Sequence, residues 1–155
     1  MKRLIDIHTH NPHPEVTSPI MVGIHPWDAE KVIPLPDFEE CDIVGETGLD
    51  YASTTSREAQ RKLFDLHLQA AARLGKPVVI HNVKATDDVL RFLGNYPTIR
   101  KVVFHGFIGS KEQAMECLKR GYYLSFGERS LRSPKSIEAL RITPLSQLFC
   151  ETDDN

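Results

Sequence analysis

The sequence predicts an α/β fold, a TIM-like (βα) barrel that is reduced or distorted and has about seven parallel strands. Short apolar runs alternate with helical patterns, as in the βα units that build a parallel sheet. Val78-Val79-Ile80 is continuously apolar, as a strand buried on both faces requires. The strands end, in order, in His8/His10, His25, Glu46, His81, His105 and Asp153. In a closed barrel the C-terminal strand ends meet around one axis. A flat sheet would spread them over several strand widths of about 5 Å each. Ligand-type side chains at successive strand ends therefore favour the barrel over a doubly wound sheet.

The first strand is the apolar run ending in Ile5-Asp6-Ile7-His8-Thr9-His10. Side chains alternate along a strand, so His8 and His10 share a face, with Asp6 one step deeper. Two imidazoles on one strand edge make half of a metal site. Residues 11–19 hold three prolines and read as a loop. Residues 19–24 form the second strand, closed by His25-Pro26-Trp27, and Pro34 and Pro36 make the next stretch irregular. Residues 41–46 form the third strand, followed by Thr47-Gly48-Leu49-Asp50-Tyr51.

Ser56 caps a helix that runs to Leu74, and Gly75 ends it. The fourth strand covers 76–81, and a helix over about 85–93 ends before Gly94. The fifth strand covers 100–105, and Ser110 caps a helix through Lys119 that Gly121 terminates. The sixth strand covers 122–126; Pro134, at the first helical position, opens a helix to about Arg141; residues 145–151 form the seventh strand.

The 155 residues read as a single domain spanning 1–155. A hydrophobic share of 41% and a charged share of 26% are those of a globular chain. The net charge of −2 exerts no global pull on nucleic acid or anionic membrane, although bound divalent cations supply positive charge locally. Cys41, Cys117 and Cys150 are odd in number and scattered, which argues for free, mostly buried thiols in a reducing cytoplasm. Met1-Lys2-Arg3 is basic, but Asp6, His8 and His10 interrupt any signal-peptide core. No run approaches the roughly 18 apolar residues of a membrane span. The expected location is cytoplasmic, with no membrane and no obligate protein partner.

Asp6-Ile7-His8-Thr9-His10, Gly23-Ile24-His25-Pro26, Gly45-Glu46-Thr47-Gly48-Leu49-Asp50, the Pro77-to-His81 strand, His105-Gly106-Phe107 and Glu151-Thr152-Asp153 occur in this order. In that order and combination the chain resembles the TatD-type deoxyribonucleases, a branch of the metal-dependent amidohydrolase-like barrels, over essentially its whole length. The resemblance implies a hydrolase that cleaves phosphodiester bonds of DNA with two divalent metal ions. By that match His8, His10 and Asp153 hold one ion, His81 and His105 hold the other, and Glu46 bridges them. Two such ions share a carboxylate, lower the pKa of a bridging water and stabilise the leaving oxygen. Asp153, beside that water, is then the natural proton acceptor. The mixed donor set suits Zn, Mn, Fe or Ni better than Mg alone, with Mg still admissible.

Further residues carry two readings each. His25 touches substrate or orients its loop. Asp50 fixes the tautomer of a ligand histidine or caps a turn. Lys84 grips a phosphate or is an exposed lysine. Arg129, Arg132 and Lys135 line a nucleic-acid groove or form a solvated face. His13 and His67 are placed on a loop and a helix surface. Trp27 stacks on a base or packs, and packing is the expectation.

The chain departs from the family pattern in three places. Typical members carry an arginine where Val83 stands, so phosphate binding there falls to Lys84. The segment between His10 and Gly23 is too short for the βα unit that members insert, which is why seven strands are expected. Members also continue beyond Glu151-Thr152-Asp153 through a closing helix, so the chain reads as a shortened member lacking the family's C-terminal end. Two rival readings remain: an amidohydrolase-like hydrolase of an ester, amide or aminoacyl ester, and a non-catalytic metal-binding barrel remnant.

Overall fold

The computed structural model describes residues 4–11, 13, 14 and 16–153. Met1-Lys2-Arg3, Pro12 and Glu15 of the expected proline loop, and the last two residues of the chain lie outside the described residues. In chain order the elements are β1 (Leu4–Ile5), β2 (Val16–Thr17), β3 (Met21–Val22), a 3-10 turn (Pro26–Asp28), β4 (Ile43–Asp50), α1 (Arg57–Leu74), β5 (Val78–Val83), α2 (Thr86–Gly94) and β6 (Val102–Phe104). They continue with α3 (Lys111–Lys119), β7 (Tyr123–Phe126), α4 (Glu128–Leu131), α5 (Pro134–Ile142), a second 3-10 turn (Leu145–Gln147) and β8 (Leu148–Cys150). The chain forms two compact units, one of residues 20–103 and the other of residues 1–19 with 104–155.

In the 20–103 unit the strands hydrogen-bond in the order β3-β4-β5-β6. The β3/β4 and β4/β5 pairs are parallel, with Met21 opposite Ile43, Val44 opposite Val78 and Gly48 opposite His81. Helix α1 begins where Ser56 Oγ accepts the Ala59 N–H at 3.3 Å, and it ends at left-handed Gly75. Its inward stripe is Gln60, Phe64, His67, Leu68 and Ala71, all fully buried, at the three- and four-residue spacing of one helical face. Each large apolar side chain sealed on that stripe is worth about 2 kcal/mol.

In the other unit β1 pairs in parallel with β2, and β7 with β8, setting Leu124 opposite Leu148 and Phe126 opposite Cys150. Helix α3 starts in a reciprocal capping box. Ser110 Oγ accepts the Gln113 N–H at 3.1 Å, and Gln113 Oε1 accepts the Ser110 N–H at 2.9 Å. Phe104, Leu124, Ala114, Cys117 and Ala139 are buried in the core of this unit.

Several expectations are corrected. The first strand stops at Ile5, and residues 6–11 bend, because Asp6 turns back to accept the His8 N–H at 3.3 Å. The alternation argument for His8 and His10 therefore does not apply. The supposed loop over 11–19 contains strand β2, which receives the Asp6 N–H on the Thr17 carbonyl at 3.1 Å. Strand β4 continues past its expected end at Glu46 to Asp50, with a register shift between Val44 and Thr47. Gly94 is the last residue of α2 rather than its terminator. Helix α4 was not foreseen, and the last strand is shortened by the 3-10 turn ahead of it. Eight strands rather than seven stand among the described residues.

Candidate metal centre

In the 20–103 unit His25, from the segment after β3, comes together with Glu46, His81 and Asp50, the last residue of β4. Glu46 and His81 lie within β4 and β5 rather than at the strand ends expected from the sequence. His81 is held at both ring nitrogens, with Nδ1 2.8 Å from Glu46 Oε1 and Nε2 2.9 Å from Asp50 Oδ2. A neutral imidazole donates only one of these contacts. With its proton toward Asp50, the Nδ1 lone pair faces Glu46 Oε1, and the two atoms then fit as donors to one cation. Asp50 Oδ1 also accepts the N–H groups of Ala52 and Ser53, at 3.0 and 3.1 Å. One Asp50 oxygen therefore caps the turn and the other lies against His81 Nε2. Burial pushes the Asp50 carboxyl up, but hydrogen bonds from His81 and Trp27 outweigh it and hold the group below the usual carboxylate range.

His25 Nδ1 accepts the Trp27 N–H at 3.1 Å, and Nε2 lies 3.2 Å from Glu46 Oε1. Because Nδ1 is an acceptor, the neutral ring carries its proton on Nε2 and points that N–H at Glu46. The ligand atoms of His25, Glu46 and His81 lie within 4.8 Å of one another. In this tautomer, however, His25 has no lone pair left for an ion and fits the role of a hydrogen-bond donor. Lys84 follows β5 with an exposed side chain and a left-handed backbone, φ +51°. Val83, where the resemblance expects arginine, is half-buried.

In the other unit His8, His10, His105, Glu151 and Asp153 gather. His8 Nε2 is 3.0 Å and His10 Nε2 3.6 Å from Asp153 Oδ1. His105 Nδ1 is 3.5 Å from Glu151 Oε1 and 3.8 Å from Asp153 Oδ2, and the His8 and His105 ring centroids are 4.6 Å apart. The ligand atoms of His8, His10 and Asp153, and likewise those of His105, Glu151 and Asp153, lie within 4.8 Å of one another. Asp6 fixes this constellation. Its carboxylate accepts the Thr152 N–H at 3.2 Å and the Thr152 hydroxyl at 2.7 Å, while the Asp153 N–H donates to the His8 carbonyl at 3.1 Å. Glu151 Oε2 accepts the Ser125 hydroxyl, whereas Glu151 Oε1 is buried with no hydrogen-bond partner among the described residues. An oriented carboxylate oxygen beside imidazole nitrogens fits a divalent cation.

A cleft of about 290 Å³ opens beside this cluster, lined among others by Gly106, Gly127, Arg129, Arg132, Glu151 and Asp153. A Cβ on Gly106 would stand 3.2 Å from Glu151 Oε1, so glycine keeps the approach to these carboxylates clear. Arg132 is paired with Glu128, while Arg129 lines the cleft with its side chain exposed. Lys135 is exposed and is not among the residues lining that cleft.

Two supporting residues escaped the sequence reading. His67 is fully buried, not on the helix surface: its Nε2 accepts the Ile24 N–H at 2.9 Å and its Nδ1–H donates to the Leu63 carbonyl at 2.9 Å. Burial pushes its pKa down, so the ring is neutral, and it pins the backbone just ahead of His25. Gln60, also fully buried, accepts the Asp50 N–H at 2.7 Å and donates to the carbonyls of Asp50 and Thr55. The signal for both was the apolar stripe of α1, onto which they fall. Trp27 was expected to pack, yet its side chain is 59% exposed. Cys41 and Cys117 are buried free thiols, as expected, and burial pushes Cys117 up to about 12, whereas Cys150 is exposed. Among the described residues no helix is long and apolar enough to cross a membrane.

The amino-acid sequence matches the family described as TatD related DNase over residues 5–154. It is 33% identical over 146 residues to the uncharacterized metal-dependent hydrolase YabD of Bacillus subtilis, covering 85% of this chain and 56% of that protein. It is 35% identical over 141 residues to the metal-dependent hydrolase YcfH of Escherichia coli, covering 84% and 53%. Against the deoxyribonuclease Tat-D of Schizosaccharomyces pombe it is 32% identical over 113 residues, covering 70% and 36%. The chain spans about half the length of the curated relatives it matches. Among solved structures, a TatD family hydrolase from Entamoeba histolytica superposes with a TM-score of 0.79 at 22% identity, covering 90% of this chain and 51% of that one. The TatD homologue YjjV of Escherichia coli gives 0.73 at 25% identity, covering 91% and 59%. The shared α/β fold over nine-tenths of the chain bears out the reduced (βα)-barrel class expected from the sequence. With the ordered ligand-type motifs and a match over residues 5–154, the chain belongs to the family of TatD-related DNases.

Proposed function

We propose that this chain is the part of a divalent-metal-dependent hydrolase that cleaves phosphodiester bonds of DNA. The observation that carries the reading is the gathering of His8, His10 and Asp153, with ligand atoms within 4.8 Å of one another, in a cradle that Asp6 orients. Following the family resemblance, we assign one ion to His8, His10 and Asp153, a second to His81 and His105, and a bridging role to Glu46. Such ions, when bound, polarise the phosphodiester and lower the pKa of a water.

The chain's own residues do the rest. Asp153 takes the proton of the attacking water. Asp6 keeps Asp153 in place through Thr152. Asp50 keeps the His81 proton on Nε2, leaving Nδ1 as donor to an ion. His25 directs Nε2–H at Glu46 Oε1 and, once that carboxylate is engaged by ions, offers the same N–H to a substrate oxygen. Lys84 supplies the cation that the phosphate needs in place of the arginine absent at Val83.

Single-stranded DNA should be cut with Mn, Mg or Zn, while acyl esters are not. Glu46→Gln and Asp153→Asn should each reduce that activity by at least about 100-fold. Ester turnover without DNA turnover would replace this reading by a hydrolase of ester, amide or aminoacyl ester bonds, which the missing arginine at Val83 favours. Two ions per chain are expected by elemental analysis, and none after reconstitution would overturn the ligand assignment and leave a non-catalytic remnant.

A further inference from the structure

Trp27 is the only tryptophan in the chain, and it stands beside the candidate centre with its ring exposed. The exposure is not that of a loose side chain. Its backbone N–H donates to His25 Nδ1 at 3.1 Å, and its carbonyl accepts the Thr55 hydroxyl at 3.2 Å. Its indole N–H donates to Asp50 Oδ2 at 2.7 Å, the same oxygen that holds His81. The His25 ring meets it edge-on with centroids 4.6 Å apart, and the His81 ring lies 6.0 Å away. A large indole, 59% exposed yet anchored at both backbone groups and at its one polar atom, is held in a fixed orientation while much of it stays open to a flat apolar partner.

From this anchoring we infer that Trp27 is a stacking platform for a nucleobase of a single-stranded substrate, one that also ties the bound base to the centre through Asp50. Resting on the hydrolase reading above, it names the feature by which that site tells a nucleic acid from a plain phosphodiester. Aromatic rings hold bases by their π-faces with little regard to sequence, and the base must be unstacked from a partner strand to reach them. Single strands are thus favoured over duplex. The bond from the indole to Asp50 Oδ2 couples base binding to the carboxylate that orients His81. A base seated on the ring shields that bond from water and holds His81 more firmly.

With one tryptophan, intrinsic fluorescence reports this contact directly. A short phosphorothioate-linked single-stranded oligonucleotide, which resists cleavage, should quench and shift the emission on titration. An abasic oligonucleotide of equal length and charge should leave it unchanged. Trp27→Ala should weaken binding of the base-bearing oligonucleotide, followed by anisotropy of a labelled strand, by roughly ten-fold, and Trp27→Phe should restore most of it. In cleavage assays the preference in kcat/KM for base-bearing over abasic strands should shrink in Trp27→Ala. Binding seen by anisotropy without a change in emission would overturn the inference, as would equal quenching by the abasic strand or no binding at all. Because fluorescence and anisotropy need no turnover, quenching without hydrolysis would sink the hydrolase reading while leaving the platform standing.

Discussion

His67 shows how a side chain far from any reaction sets a functional residue. The neutral ring accepts the Ile24 N–H and donates to Leu63, so protonation would place a charge in the core and turn an acceptor into a donor. Its folded-state pKa is pushed below the unfolded value by burial. Between the two pKa values the unfolded chain binds the extra proton, so stability rises with pH there. The contribution is complete above about pH 6.5 and is lost as the pH falls below it. His67→Leu should leave the Ile24 N–H buried and unsatisfied, at a cost of about 1–3 kcal/mol near neutral pH. It should also flatten the fall in stability between about pH 6.5 and 5; urea melts of both proteins across that range check the two effects. Two gatherings were legible, His8, His10, His105 and Asp153 in one unit and Glu46 with His81 in the other, since their types and order are written in the motifs. His67 and Gln60 were not, because polar residues on an apolar stripe look like surface until the packing they satisfy is seen.

At the scale of elements, the helices were the legible part. Ser56, Gly75 and Ser110 mark ends that obey local chemistry, and local chemistry acts alone in a helix. Ser110→Ala should remove its half of the capping box and cost about 1 kcal/mol, read as a shift in the denaturation midpoint. Strand β4 was misjudged for an opposite reason. Thr47-Gly48 has the composition of a turn, but Gly48 holds φ +145° and a Cβ there would lie 1.9 Å from the His81 carbonyl oxygen. The glycine serves the partner strand, which no local pattern reveals. Gly48→Ala should therefore force β4 and β5 apart and destabilise by more than about 2 kcal/mol. It should also weaken metal binding, because Glu46 and His81 are carried on those two strands. Equal thermal stability of variant and parent would refute the close-approach argument. The brevity of β1 also escaped, since it is set by Asp6 folding back onto His8 rather than by any breaker residue.

For the molecule as a whole, the α/β class followed from the alternation of elements, and the family from the order of its motifs. The split into two compact units was not legible, because it depends on which parts of the chain pack together. Metal should act on the whole chain as a folding ligand. Saturation at about 100 times Kd stabilises by about 2.7 kcal/mol, which at this size raises Tm by roughly 5–10 °C. Differential scanning fluorimetry with Zn or Mn against a chelator tests this, and an unchanged Tm in the presence of either ion would count against ligation in the native state.

The contact between Asp6 and Thr152 joins residues 146 positions apart. Closing so long a loop is entropically unfavourable and kinetically late compared with any helix of the chain. The segment bearing His8 and the segment bearing Asp153 thus meet only after the long stretch between Asp6 and Thr152 has been made. A nascent or partly folded chain offers single histidines and stray carboxylates, which bind divalent ions weakly. On the proposed function, capture of an ion by His8, His10 and Asp153 then waits on that late closure and serves as a checkpoint on folding.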